Sequence, residues 1–341
     1  MKRLDEKLAR IRAGRYTRRD FIIADAKDPD MGFGLPGAGP HRQADGSSTR
    51  YRTREEFLDQ IRGILAQDMI DVMLLSASNL EKLAEEGLFE KSHVTPAVRA
   101  NDATDVWRLR GARYHHTPSR PFRTASIPRV MYGTAMPPAA GARVTGTNLG
   151  LYSVTFNNQT EADIASLEAF TAFRAEAAAM GFRYFLEVFN PNVDAGLDAE
   201  VIGPYVNDCI LRCLAGVTRA DRPLFLKMVY NGPKALEELA GFDSSLVVGV
   251  LGGSAGTTRD TFELLHQAGR HGARVALFGR KINLAEAPLA IVALMRQVAD
   301  GAIAPAAAVR AYHAEIRKKK LKPVRPLEED LTITEAVLKH G

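Results

Sequence analysis

The chain has 341 residues, 46% hydrophobic and 25% charged, with a formal net charge of +5. That balance excludes a disordered or collagen-like chain and supplies enough apolar mass for a large core. The longest apolar run, Ala285–Met295, falls short of the ~20 residues a membrane span needs.

The basic residues are scattered and not interleaved with aromatics, so they suit anionic small molecules as well as nucleic acid. Cys209 and Cys213 stand four apart on a predicted helix, where a disulfide is geometrically implausible, and reduced thiols suit the cytoplasm. The N-terminus lacks the apolar stretch of a signal peptide. The expectation is a soluble cytoplasmic protein with neither a membrane nor a nucleic acid as partner.

Strand-like and helix-like pieces alternate along the chain. Asp20–Asp28 reads as a first strand with Asp25, Lys27 and Asp28 at its end; Asp25 and Lys27 share parity and therefore a face. A Gly/Pro-rich loop, Pro29–Ser48, is long enough to lie over a site. The amphipathic helix Arg54–Gln67 and the strand Asp71–Ser76 follow, then the helix Leu80–Phe89. A third strand is expected at His93–Arg99, weakened by Pro96 and followed by Asn101, Asp102, Thr104 and Asp105. Residues 107–142, rich in Pro, Arg and His, have no period and read as an inserted excursion over one face.

Leu149–Phe156 is the fourth strand and Phe182–Phe189 the fifth, with Glu187 near its C-terminal end; the helix Glu161–Met180 lies between them. The helix Val201–Leu214 leads to Pro223–Gly232, PLFLKMVYNG, a short apolar strand with one lysine, Lys227, in its middle. Leu246–Leu251 runs into Gly252, Gly253 and Ser254, and Arg274–Phe278 into Gly279, Arg280 and Lys281, with the helix Thr258–His271 between and Ala285–Asp300 after.

Eight strands separated by helices predict an α/β fold of the (β/α)8 TIM-barrel type over 1–341, with 107–142 inserted and 305–341 as a helical C-terminal extension. In such barrels the chemistry sits at the C-terminal ends of the strands, and phosphate binds on the loops after strands seven and eight. That places Asp25, Lys27, Asn101, Asp102, Glu187 and Lys227 beside two Gly turns whose N–H groups can approach an anion, with Arg280 as a forked donor. A lysine in apolar surroundings has its charged form disfavoured, which yields a neutral amine able to attack a carbonyl.

LKMVYNGP, followed by VVGVLGGSAGTTRDTFELLHQAGRHGARVALFGRKI, resembles the barrel-type class I aldolases: the archaeal and bacterial fructose-bisphosphate aldolases and the tagatose-bisphosphate and sulfofructose-phosphate aldolases. FLEVFNP and DAKDPD fit more loosely, and 107–142 does not fit. The resemblance implies a lysine Schiff base at Lys227 with no cofactor and no metal, and a phosphate site at Gly252, Gly253, Gly279 and Arg280. It also implies a strand-one acid at Asp25. Glu187 matches the glutamate of the tagatose type, whereas Phe189 stands where the fructose type has tyrosine. The implied activity is carbon–carbon cleavage or formation on a phosphorylated ketose or another anionic carbonyl substrate. Lys27 or Lys281 is the neighbouring cation expected to keep the amine neutral, and a homo-oligomer is expected, as is common in such barrels, with the terminal apolar positions of the extension packing on a neighbouring subunit.

Two alternatives are carried forward. Asp25, Asp102, Asp105 and Glu187 gathering Mg²⁺ or Mn²⁺ would make a metal-dependent lyase or isomerase. A sugar-phosphate-binding protein without catalysis is the other.

Overall fold

The apolar runs pair as the strand count predicts. In the computed structural model, which describes residues 2–139, 141–253 and 256–339, eight parallel strands close into a barrel. They are β1 (Ile22–Lys27), β2 (Val72–Leu75), β3 (Thr95–Arg99), β4 (Leu149–Thr155), β5 (Arg183–Phe189), β6 (Leu226–Met228), β7 (Gly249–Leu251) and β8 (Val275–Phe278). Each strand bonds to its neighbour in sequence, and β8 returns to β1. This is a (β/α)8 barrel.

The longer helices are α1 (Arg3–Arg12), α2 (Arg54–Gln67), α3 (Ala77–Glu85), α4 (Thr160–Met180), α5 (Ala199–Ala215), α6 (Pro233–Phe242), α7 (Thr258–Arg270), α8 (Pro288–Ala299) and α9 (Pro305–Lys318). Two of them start on reciprocal caps that their sequences spell out. The Thr53 hydroxyl accepts from the Glu56 N–H while Glu56 accepts from the Thr53 N–H, and Thr257 and Asp260 repeat the arrangement at α7. Among the described residues no helix is long and apolar enough to cross a membrane.

Both faces of the strands are buried, so alternation disappears from the sequence and the strands read as continuous apolar runs. The structure resolves the parity. Ile22, Ala24, Val72, Leu74, Ala97, Leu151, Phe185, Phe225, Val275 and Leu277 pack inside the barrel. Ile23, Met73, Leu75, Ala276 and Phe278 pack outward against the helices. Leu4 and Leu8 of α1 plug the N-terminal end of the barrel; burying each contributes about 1.5–3 kcal/mol. The inner face opens at the C-terminal end of the strands.

Pro96 is accommodated within β3, opposite Met73. Between β3 and β4 the excursion replaces the usual long helix. It carries the strand Pro121–Phe122, which pairs antiparallel with Asp102–Ala103 just ahead of it, and a short helix, Ile127–Tyr132. At the other end of the chain, residues after α9 turn back along α7. Asp330 accepts from the Thr258 N–H and pairs with His313, and the buried Leu338 accepts from Gln267 through its carbonyl. Leu338 thus packs on its own barrel, in the stretch of the tail whose apolar positions the sequence left open to a neighbouring subunit.

Candidate active site

Inward parity continues past the apolar layers to the C-terminal ends of the strands, and there the side chains become charged. Phe185 and Phe225 stack with ring centroids 4.6 Å apart; two residues further along the same strands come Glu187 and Lys227. The register places Glu187 opposite Lys227 and also opposite Ser153. The Lys227 ammonium is in direct contact with Glu187 Oε1. Glu187 Oε2 lies 3.2 Å from Arg99 Nη2, and Arg99 Nε lies 2.5 Å from Asp28 Oδ2. Arg99 also donates to Ser153 Oγ at 3.3 Å.

Four buried charges of alternating sign therefore run across the mouth of the barrel, Asp28–Arg99–Glu187–Lys227, each 1–8% exposed. Burial works against the Arg99 charge, but Asp28 and Glu187 outweigh it and hold the guanidinium above its ordinary value. A bidentate-capable arginine between two carboxylates is the geometry that orients both.

The quartet forms one wall of a cavity of about 510 Å³. Gly252, Gly253, Gly279, Arg280 and Lys281 line it from the ends of β7 and β8, Phe33 from the short helix Pro29–Phe33 after β1, and Val106 and Arg108 from the entry to the excursion. Glu335, Val337 and Leu338 of the C-terminal tail line it as well. The Gly turn is required sterically. A Cβ on Gly252 would lie 2.5 Å from the Phe278 ring, and Gly253 has φ +68°. A larger groove of about 840 Å³ lies outside the barrel between α3 and residues 124–146, but none of the expected site residues borders it.

Several sequence expectations are corrected. Asp25 and Lys27 share a face as predicted, but it is the outer one. They form a wholly buried pair, Lys27 Nζ to Asp25 Oδ2 at 3.6 Å, with Gln60 accepting from Lys27 at 2.6 Å and the Phe57 ring 5.9 Å away. Burial raises the Asp25 carboxyl to about 6 and lowers the Lys27 ammonium to about 8. The strand-one acid on the cavity is Asp28, three residues further on and of opposite parity.

Asn101 and Asp102 do not reach the cavity. Asn101 clips β4 by bonding both the N–H and C=O of Ser153, and Asp102 accepts from Thr124. Lys281 borders the cavity, but its ammonium is spent on the carbonyls of Gly256 and Thr257. Burial, followed by Arg325, lowers it to about 8. Neither Lys27 nor Lys281 is the cation beside Lys227; the cationic group sharing Glu187 is Arg99. Ser254 lies outside the described residues.

The four acids considered for a hard cation are dispersed. Asp25 pairs with Lys27 on the outer face, Asp102 meets Thr124, Asp105 binds Ser119 and Thr155, and of the four Glu187 alone lines the cavity. Arg99, Asp28 and Arg108 are the site residues that sequence reasoning missed. Arg99 had a readable signal, a charged residue closing an apolar strand just as Lys227 does.

No family model and no curated protein matches the chain. Solved structures do. A fructose-bisphosphate aldolase from Slackia heliotrinireducens is 14% identical with a TM-score of 0.62, over 92% of this chain and 90% of that one. A Schiff-base-forming fructose-1,6-bisphosphate aldolase is 15% identical with a TM-score of 0.59, over 87% and 99%. An archaeal fructose-1,6-bisphosphate aldolase, solved with its catalytic lysine bound to a carbinolamine intermediate, is 16% identical with a TM-score of 0.59, over 87% and 100%. At these identities the likeness is one of fold.

Proposed function

We propose that the protein is a class I aldolase-type carbon–carbon lyase acting on an anionic carbonyl substrate through a Schiff base at Lys227. The observation that carries this reading is a nearly buried lysine at the C-terminal end of β6, in contact with a carboxylate and open to a cavity edged by Gly turns. Similarity in fold to aldolases described as Schiff-base-forming supports it.

The chemistry follows from the placement. Glu187 takes the proton from the Lys227 ammonium, and the neutral amine adds to the substrate carbonyl to give a carbinolamine. The protonated Glu187 returns its proton to the carbinolamine hydroxyl, which leaves as water and restores the carboxylate; the resulting iminium accepts the electron pair when the C–C bond breaks. A base must remove the proton from the hydroxyl on the carbon that departs as a carbonyl product. Glu187 is the first group placed to do so, and Asp28 is the second, on the far side of Arg99. The resulting enamine is protonated at carbon, and water releases the second product and frees Lys227. Each step uses protein side chains, so no cofactor is required.

Arg99 prevents Glu187 from being a simple counter-ion to Lys227 by engaging its other oxygen, and Ser153 holds Arg99 from behind. Phe189, beyond Glu187 on the same inward face, carries no proton, which leaves the carboxylates to do the proton transfer.

The test is retro-aldol turnover of ketose phosphates followed by borohydride reduction. Irreversible inactivation that requires both substrate and reductant is expected, with turnover unaffected by a chelator. Turnover abolished by chelation and restored by Mg²⁺ would replace this reading with a metal-dependent one.

A further inference from the structure

We propose that the cavity recognises a single phosphate group, clamped between Arg108 of the excursion and Arg280 after β8, so that the substrate is a phosphomonoester and not a bisphosphate. The phosphate count deepens the reading above, but the clamp stands on its own geometry.

Charge decides the number of phosphates. Five cationic and three anionic side chains line the cavity among the described residues, a surplus of two positive charges. A phosphomonoester brings about −1.5 to −2 at neutral pH. A bisphosphate brings roughly twice that and would leave a second anion without a countercharge.

Geometry then locates the surplus. Arg99 is engaged by Asp28 and Glu187, and Lys227 by Glu187. Lys281 is engaged by the Gly256 and Thr257 carbonyls, with Asp260, Asp330 and Glu335 as its nearest acids. Arg108 and Arg280 have no carboxylate partner among the described residues. Both are exposed at the mouth.

Arg280 donates to the Gly253 carbonyl at 3.3 Å, and burial, followed by Arg108, lowers its guanidinium below the ordinary value. Arg108 is held in place from two sides. Its N–H donates to Gly32 at 2.7 Å and its Nε to the Asp105 carbonyl at 3.3 Å; Asp105 is itself fixed by Ser119 and Thr155. Two guanidinium groups that line one cavity without a carboxylate partner are poised for an anion. Elsewhere Phe33, Val106, Phe189, Val229, Leu264 and Leu338 line the cavity and the remaining cations, Arg99, Lys227 and Lys281, are already engaged, so a second phosphate would lose its hydration there without gaining a free cation.

Two measurements on the full chain test this. Calorimetric titration with inorganic phosphate should give one site per chain, weakened at least about 10-fold in Arg108→Gln and in Arg280→Gln, with thermal unfolding unchanged. In borohydride trapping, fructose 1-phosphate should reach half-maximal adduct at a concentration at least about 10-fold below that of fructose 1,6-bisphosphate. Two phosphate sites of similar affinity, a site indifferent to both substitutions, or tighter trapping of the bisphosphate would overturn the proposal. A single arginine-dependent phosphate site with no adduct from either ketose would support the clamp and overturn the Schiff-base reading instead.

Discussion

Strand β1 and the residue that follows it carry two charged clusters on opposite faces. Outward, Asp25 and Lys27 form a sealed pair behind the barrel; inward, Asp28 begins the quartet that ends at Lys227. Both clusters contain a lysine and a carboxylate that are almost wholly buried. They differ in what lies in front of them. Lys27 looks onto Gln60 and the Phe57 ring, so its amine has nowhere to meet a substrate. Lys227 borders a cavity of about 510 Å³, and its carboxylate partner is shared with an arginine. A buried lysine is therefore distinguished by access and by the connectivity of its counter-ion, not by burial.

Substitutions should separate the two faces. Lys227→Met is expected to abolish both the reducible adduct and turnover, whereas Lys27→Met should leave adduct formation intact in the protein that folds. Glu187→Gln should keep the lysine in place yet slow turnover about 10²–10⁴-fold, as measured by kcat.

Lys27→Met removes one partner of a buried pair and should cost about 3–5 kcal/mol in urea unfolding. The double change Asp25→Leu with Lys27→Met should recover most of that loss. An effect of Lys27→Met on kcat as large as that of Glu187→Gln would erase the distinction between the faces. Arg99→Lys keeps the charge but loses the fork. It should lower kcat on the order of 10–100-fold with little change in KM, because Glu187 and Asp28 are no longer held in register.

The smallest effect is on pH dependence. Lys27 titrates at about 8 in the folded chain, below its ordinary 10.5, so between those values the unfolded chain binds more protons and stability rises with pH. Asp25 titrates at about 6, above its ordinary 3.8; between those values the folded chain binds more protons and stability falls as pH rises. Stability measured against the Asp25→Leu, Lys27→Met double variant should show both slopes, each at most about 1.4 kcal/mol per pH unit.

The strands were legible because each apolar run is bounded by Gly, Pro or a polar cluster, and the placement of Glu187 and Lys227 followed from counting them. Which face Asp25 takes was not legible. With both faces of β1 buried, alternation carries no polarity signal, and a one-residue choice of parity moves the strand-one acid from Asp28 to Asp25. Arg108 and Leu338 were out of reach for another reason. The excursion and the tail are placed by long-range contacts, such as Arg108 with Gly32 and Leu338 with Gln267, that leave no periodic trace. The tail helix α9 was readable, but its continuation to the cavity was not.

Peptide mapping after borohydride reduction with dihydroxyacetone phosphate tests the central claim most directly, since three lysines with distinct surroundings compete as the labelled site. The expected result is a single adduct on Lys227, absent from Lys227→Met. An adduct on Lys27 or Lys281, or none on any lysine with this or any other phosphorylated ketone, would contradict it.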